Sequence, residues 1–221
     1  MDRPAPPTLI DTLIWLVEAG LAGRSERGLT EGLATRLVAQ GLPVDRISMG
    51  SDVLDPVLQS RSFLWRKGQG TEKQRFGRGL RRSDAWLNSI LHWMVTNGVA
   101  SHHLRLDSEE ASRFALLPTL REEGYRDYYV QSIAYGGGAR SAGALGLMAS
   151  FASRADAGFS PDHLATIRAV LPAFALAFMA QANTRMTRRV LSTYLGDRPA
   201  QSVLSGQITR GETQAMQAVI W

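Results

Sequence analysis

Four histidines are the side chains best equipped for metal or proton chemistry: His92, His102, His103 and His163. His102 and His103 are adjacent, a pattern that invites a metal or haem. The segment SHHLRLD reads as a strand, however, and neighbours on a strand point to opposite faces, so the pair cannot readily close on one ion. His92 stands beside Trp93 on a helix and reads either as an axial haem ligand or as a hydrogen-bonded histidine at the core boundary. The chain has no cysteine. That removes disulfides, thiolate metal sites, thiol nucleophiles and thioether-linked chromophores. HExxH spacing is also missing, so no metal site is expected in these residues.

Other reactive patterns are equally sparse. Glu109-Glu110 and Glu122-Glu123 lack a convergent partner and read as solvated carboxylates. GGGARSAG is glycine-rich but lacks the lysine and following helix of a phosphate cradle, so it reads as a hairpin turn. Neither a nucleophile elbow nor a dinucleotide fingerprint is present. The expectation is a chain that is not itself an enzyme. Aromatic residues offer a pocket instead, because small-molecule sites are mostly apolar with a few placed polar groups. Trp65, Trp93, His103, Arg126, Tyr128, Gln131 and Ser132 form the candidate ligand-binding set, with Trp86, Tyr125 and Tyr129 close in the chain. The same aromatics also fit a plain core.

These side chains must be positioned by a real interior. With 221 residues, 44% hydrophobic and 20% charged, the chain can bury one in one or two domains. The net charge of +5 comes almost wholly from arginine, lysine standing only at 67 and 73. The arginines are scattered, with local groups at Arg78-Arg81-Arg82 and Arg185-Arg188-Arg189, and no basic stripe alternates with aromatics. A nucleic-acid partner is not expected. MDRPAPPTLIDTLIWLVEAGLAG is interrupted by Asp11 and Glu18 and lacks the layout of a signal peptide. VLPAFALAFMA is too short to span a bilayer. A cytoplasmic protein without a membrane partner is the expectation.

Helical spacing of Leu9, Leu13, Leu16 and Val17 predicts a first helix ended by Gly20 and Gly23. RSERG reads as a polar turn before a second helix that starts near Thr30, its N-cap, and buries Leu33, Leu37 and Val38. Arg46 to Leu54 and Ser62 to Arg66 read as strands joined by a turn at Asp55-Pro56. RFGRGLRRSDAW reads as a polar connection to a helix through Leu87, Ile90, Leu91 and Met94, ended by Asn97-Gly98. EEASRFALLPTLREEG mixes helix and loop. Strand DYYVQSIA places Tyr128, Val130 and Ser132 on one face and Tyr129, Gln131 and Ile133 on the other, and pairs with ALGLMASFAS as a hairpin. Ser160 caps a last helix with Pro161 in its first position. Leu164, Ile167, Leu171, Phe174 and Phe178 form its stripe, it runs to about Tyr194, and Pro172 predicts a kink or local break. The fold class is α+β, one antiparallel sheet flanked by helices with a long C-terminal signalling helix.

GFSPDHLATIRAVLPAFALAF resembles the closing helix of GAF domains, and with the preceding strand pairs this resemblance spans Thr30 to Ala180. The cysteine that holds bilins in phytochrome-type GAF domains is missing, as is the asparagine-lysine-phenylalanine-aspartate-glutamate set of cyclic-nucleotide-binding ones. TYLGDRPAQSVLSGQITRGETQAMQAVIW resembles the segment entering the catalytic domain of bacterial class III adenylate/guanylate cyclases. LIDTLIWLVEAGL, GLPVDRISMG and SFLWRKGQG are similar to the sensor region preceding such cyclases in α-proteobacteria. The resemblance implies an N-terminal helix with a dimer contact over residues 1–29 and a GAF-like sensor over 30–181. A signalling helix and linker would follow over 182–212, and the first strand of a catalytic domain over 213–221, where Ala218-Val219-Ile220-Trp221 is apolar.

It also implies regulation of cyclic AMP synthesis by a homodimer joined through its helices. Leu171, Phe174, Phe178, Met186 and Tyr194 are the dimer and transmission residues. No family catalytic position falls in the sequence, and magnesium is expected only in the catalytic domain. The effector is an unidentified small molecule. A stand-alone GAF-like protein binding haem or a small metabolite, and a dimerisation module without ligand, stay open.

Overall fold

In the computed structural model, residues 5–52, 58–77, 79, 82–135 and 146–207 are described. The expected turn at Asp55-Pro56, the GGGARSAG turn and the strand at 218–221 lie outside them. The chain divides into two units, Met1–Ala182 and Asn183–Trp221. The first unit holds helices α1 (Leu9–Leu21) and α2 (Glu26–Ala39), then strands β1 (Arg46–Asp52), β2 (Leu58–Arg66) and β3 (Gly70–Gly77). Short helices α3 (Asp84–Leu87) and α4 (Ile90–Asn97) precede β4 (Ser101–Arg105), α5 (Leu116–Glu122), β5 (Asp127–Ile133) and β6 (Leu147–Ser153). Helix α6 (Pro161–Leu195) begins in the first unit, and its C-terminal part belongs with α7 (Asp197–Leu204) to the second. The architecture is α+β: a six-stranded antiparallel sheet in the order β3-β2-β1-β6-β5-β4, flanked by helices, with a long C-terminal helix.

Register explains the core. Trp65, Ile47, Phe151, Tyr129 and His103 are successive cross-strand partners from β2 to β4, so they form one row on one face. Beside it runs Phe63, Met49, Ala149 and Gln131. The apolar members of both rows are buried with Leu16 of α1, Leu29, Leu33 and Leu37 of α2, and Ile167, Leu171, Phe174 and Phe178 of α6. The Phe63 and Phe178 rings meet edge to face, 5.8 Å apart. On the opposite face, Tyr128, Val130, Leu104 and Ala152 pack with Ile90 and Met94 of α4, Phe114, and Leu117 and Leu120 of α5. The alternation expected for DYYVQSIA is the one the fold uses.

Several local expectations give way to stronger caps or packing. Helix α2 starts four residues before Thr30, with Ser25 Oγ accepting the Gly28 N–H at 3.2 Å as the true N-cap. Thr30 lies inside, its hydroxyl donating to the Glu26 carbonyl at 2.9 Å. Gly20 does not end α1 but belongs to it, and a Cβ there would sit 3.0 Å from Ala177 Cβ. The missing side chain lets α1 and α6 approach closely. Strand β3 replaces part of the expected polar connection; TEKQRF gives no apolar alternation because β3 is an edge strand with Thr71 as its buried residue. The helix expected through Leu87 to Met94 is two helices, since Ser89 caps α4 by accepting the His92 N–H at 3.1 Å.

Helix α6 continues through Pro172 without the expected break. An internal proline costs about 3 kcal/mol. Leu171, Phe174 and Phe178, each at most 1% exposed, are worth about 1.5–3 kcal/mol apiece on burial. Packing on both sides of the proline therefore outweighs it. Ser160 caps α6 as expected, accepting the His163 N–H at 3.2 Å, while His163 Nδ1 accepts the Ser160 N–H at 3.1 Å. A window of α6 is long and apolar enough to cross a membrane. Its apolar stripe is buried in the core described above.

One buried carboxylate ties the sheet to this helix. Asp127, at the start of β5, accepts the Phe159 N–H at 2.6 Å and the His103 Nε2–H at 2.9 Å. Gly158, at φ +65°, has no room for a Cβ, which would meet the Asp127 carboxylate. Burial works to raise the Asp127 pKa, but the bonds from His103 and the Phe159 N–H, with the charges of His103 and Arg105, together hold it below the ordinary 3.8. A folded-state pKa below the unfolded value means this stabilisation is present above about pH 4 and lost as pH falls through the folded value. Asp127→Ala should cost about 2–4 kcal/mol in a urea melt at pH 7. Asp127→Asn should flatten the loss of stability on acidification below about pH 4 that the unsubstituted chain shows.

Candidate functional site

On the face opposite the main core, β1, β2, β3 and β6 form the floor of a cavity of about 460 Å³. The two-residue period of the strands decides what lines it. Ile47, Met49, Phe63 and Phe151 turn to the core, so Arg46, Ser48 and Gly50 of β1, Ser62 and Leu64 of β2, and Met148 and Ser150 of β6 turn to the cavity. Gln74 and Phe76 of β3 extend the floor, and Trp86, Ser89, Leu91 and Leu116 complete the lining from the short helices and their connection. The volume falls in the range that suits a small molecule. Hydroxyls and one amide supply its hydrogen-bonding groups, and Ser62 Oγ already donates to Gln74 Oε1 at 3.1 Å.

Its electrostatics are one-sided. Arg46 and Arg66 turn to the cavity, while Arg61 borders it with its head group carried to Glu26 of α2 on the other face, and no Asp or Glu is among the described lining residues. Arg61 approaches Glu26 at 3.8 Å and Arg66 approaches Glu72 at 3.9 Å. Arg46 differs in having no carboxylate beside it among the described residues: it is 7% exposed, and its Nε and Nη1 have no hydrogen-bond partner among those residues, whereas Arg61, whose Nε also lacks one, has Glu26 nearby. Loss of solvent pushes its pKa down, with Tyr128, Tyr125 and Glu123 opposing that shift and Arg66 adding to it. Burial pushes the Tyr128 hydroxyl up, opposed by Arg46 and by a hydrogen bond with Ser150.

The expected ligand set is not brought together here. Trp65 is in the main core, His103 is held by Asp127, and Gln131 accepts the Tyr129 hydroxyl at 2.7 Å. Tyr128 and Trp93 pack in the second cluster, Trp93 5.0 Å from the His102 ring. Ser132 Oγ donates to the Ala100 carbonyl at 3.3 Å, and Arg126 lies 3.7 Å from Asp156 on the surface. None of the seven lines the cavity: Trp65, His103 and Gln131 turn to the main-core face, and Tyr128, Ser132, Trp93 and Arg126 lie outside the part of the sheet, β1, β2, β3 and β6, that floors it. Trp86 does line it. The residues missed are Arg46, Ser48, Ser62 and Ser150. Their signal was available as polar residues, three of them serines, at positions alternating with Ile47, Met49, Phe63 and Phe151.

The histidines are engaged elsewhere. His92 Nδ1 lies 3.0 Å from the Leu87 carbonyl, and His102 Nε2 lies 2.8 Å from Glu110. No histidine lines the cavity, so the haem reading through His92 or His103 does not fit this site. No cluster of three or more metal-ligating side chains is found among the described residues. Of the expected dimer and transmission residues, Leu171, Phe174 and Phe178 lie in the chain's own core. Met186 and Tyr194 are in the second unit, Tyr194 being 82% exposed.

No known family profile matches the chain, and no curated protein matches it. Among solved structures, it is similar to the phycoerythrobilin-bound GAF domain of a cyanobacterial phytochrome: 11% identity, TM-score 0.49, covering 80% of this chain and 97% of that one. A second is the chromophore-binding domain of an unusual bacteriophytochrome from R. palustris, at 10% identity and TM-score 0.46, covering 77% and 60%. A third is CepR2, an N-acylhomoserine lactone dependent LuxR family transcription factor from Burkholderia cenocepacia, at 13% identity and TM-score 0.41, covering 80% and 96%.

Proposed function

We propose that this chain is a GAF-like small-molecule sensor that regulates a cytoplasmic class III adenylate cyclase and is not itself catalytic. The observation that carries the sensing role is the cavity, whose floor sets Arg46, Ser48, Ser62 and Ser150 among Leu64, Met148 and Phe76. A face needed only for packing would carry apolar side chains there, as the other half of the same face does. The cyclase assignment draws on the resemblance of TYLGDRPAQSVLSGQITRGETQAMQAVIW and of the N-terminal segments to that family. Occupancy of the cavity would bias the sheet and α6 between two packings, and a bias of a few kcal/mol is enough to change populations strongly.

The test is cyclic AMP formation from ATP and magnesium. The 221-residue chain alone should make none. In the polypeptide that the native gene encodes, Ser150→Phe, which fills the cavity from β6, should change turnover by about threefold or more while the circular dichroism spectrum stays that of the unsubstituted protein. Cyclase activity in the chain alone, or a native product that forms no cyclic AMP, overturns the assignment.

A homodimer accompanies this reading. Ile10, Ile14, Val17 and Leu21 are 67%, 52%, 56% and 85% exposed on α1, in steps of four, three and four residues. Such a stripe on one helix is self-complementary with its copy about a two-fold axis. Light scattering should give about twice the 24.2 kDa chain mass, and Ile14→Glu with Val17→Glu should return it to one chain mass with the melting temperature preserved.

A further inference from the structure

The cavity's polar groups also identify the chemical class of its occupant. Arg46 reaches it from the first position of β1, its backbone fixed in register with Arg66 on one side and Ala152 on the other. More than nine-tenths of the residue is withdrawn from solvent, and Nε and Nη1 both lack an acceptor among the described residues. A guanidinium stays protonated in proteins, so these N–H groups are donors with nothing to donate to. Arg66, the other cation turned to the cavity, already has Glu72 nearby, and Arg61 carries its head group to Glu26 on the other face. Glu123 influences Arg46 only through its charge and forms no ion pair with it among the described residues. Buried donors are satisfied in folded proteins by the chain, by water or by a ligand, and a planar guanidinium is matched best by an oxyanion, which bridges Nε and Nη2 or Nη1 and Nη2.

The remaining lining limits what that oxyanion is attached to. Trp86, Leu91, Leu116 and Met148 present an aromatic and aliphatic wall, while Ser48 and Ser150 neighbour Arg46 on the floor. We propose that the cavity binds a small amphipathic organic anion, its carboxylate or phosphate held by Arg46 and its apolar body against Trp86, Leu91 and Met148. This rests on the reading of the cavity as the sensing site. The serines fit the same occupant, since a hydroxyl donates readily to an oxyanion, and no carboxylate among the described lining residues opposes it.

Calorimetric titration of the purified chain with three probes of one shape tests this: 2-naphthoate, its neutral amide 2-naphthamide, and 2-naphthyl phosphate. The carboxylate should bind about tenfold or more tightly than the amide. Arg46→Met should reduce it to the level of the amide while leaving the amide unchanged. A phosphate that outbinds the carboxylate, and loses that advantage in Arg46→Met, identifies the anion as a phosphoester. Equal binding of acid and amide, or a carboxylate preference that survives Arg46→Met, overturns the anion assignment and leaves the sensing reading standing. Failure of all three probes to bind overturns both. The ligand-free Arg46→Met chain should melt at or above the temperature of the unsubstituted chain; a fall of more than about 5 °C would make Arg46 a structural prop and overturn the assignment.

Discussion

A strand can send only alternate side chains to each side, and β1, β2 and β6 use that alternation unequally. One side of these three strands carries Ile47, Met49, Phe63 and Phe151 into a core closed by three helices. The other carries Arg46, Ser48, Ser62 and Ser150. A shift of register by a single residue would exchange the two sets, burying serines under α6 and exposing the aromatics. Six strands paired in one antiparallel sheet prevent that shift. The apolar row therefore does more than stabilise the sheet: it dictates that the polar row faces the cavity.

The same division explains how the domain tolerates Arg46. Withdrawing an unpaired guanidinium from water costs several kcal/mol. The fully buried Phe151, Phe174, Phe178, Ile47 and Met49 contribute about 1.5–3 kcal/mol each, which is ample to offset one such charge. The Asp127 corner is a different kind of buried charge. Its carboxylate is satisfied from two sides at once, by His103 of β4 and the Phe159 N–H, and it holds the start of β5 to the chain just before α6. One charge is satisfied within the fold, and the other is buried beside the cavity without a partner among the described residues.

How much of this was readable from the sequence depended on whether the signal was apolar. The stripe of α6, the two faces of DYYVQSIA and the Ser160-Pro161 entry were legible because burial imposes periodicity on large side chains. Strand β3 was not, because an edge strand with one buried residue imposes none. Helix α2 was placed late because Ser25 and Thr30 are both good caps, and only the position of Leu29 in the core decides between them. The candidate ligand set was scattered over the sheet for a related reason. Aromatics draw attention as pocket formers, yet Trp65, Tyr128 and Tyr129 are packed in clusters. The cavity is formed where small polar residues leave space, and the sequence shows that only once the strand register assigns a face.

A serine-covered floor has a further consequence for how such a module diversifies. Hydroxyls rotate and serve as donor or acceptor alike, so they impose little pattern of their own on a bound compound. Because these positions stand back to back with the side chains that keep the domain folded, exchanges among Ser48, Ser62 and Ser150 alter shape and polarity without thinning the interior. Descendants of this scaffold could thus be retuned to new chemical cues one hydroxyl at a time, with little danger of unfolding on the way.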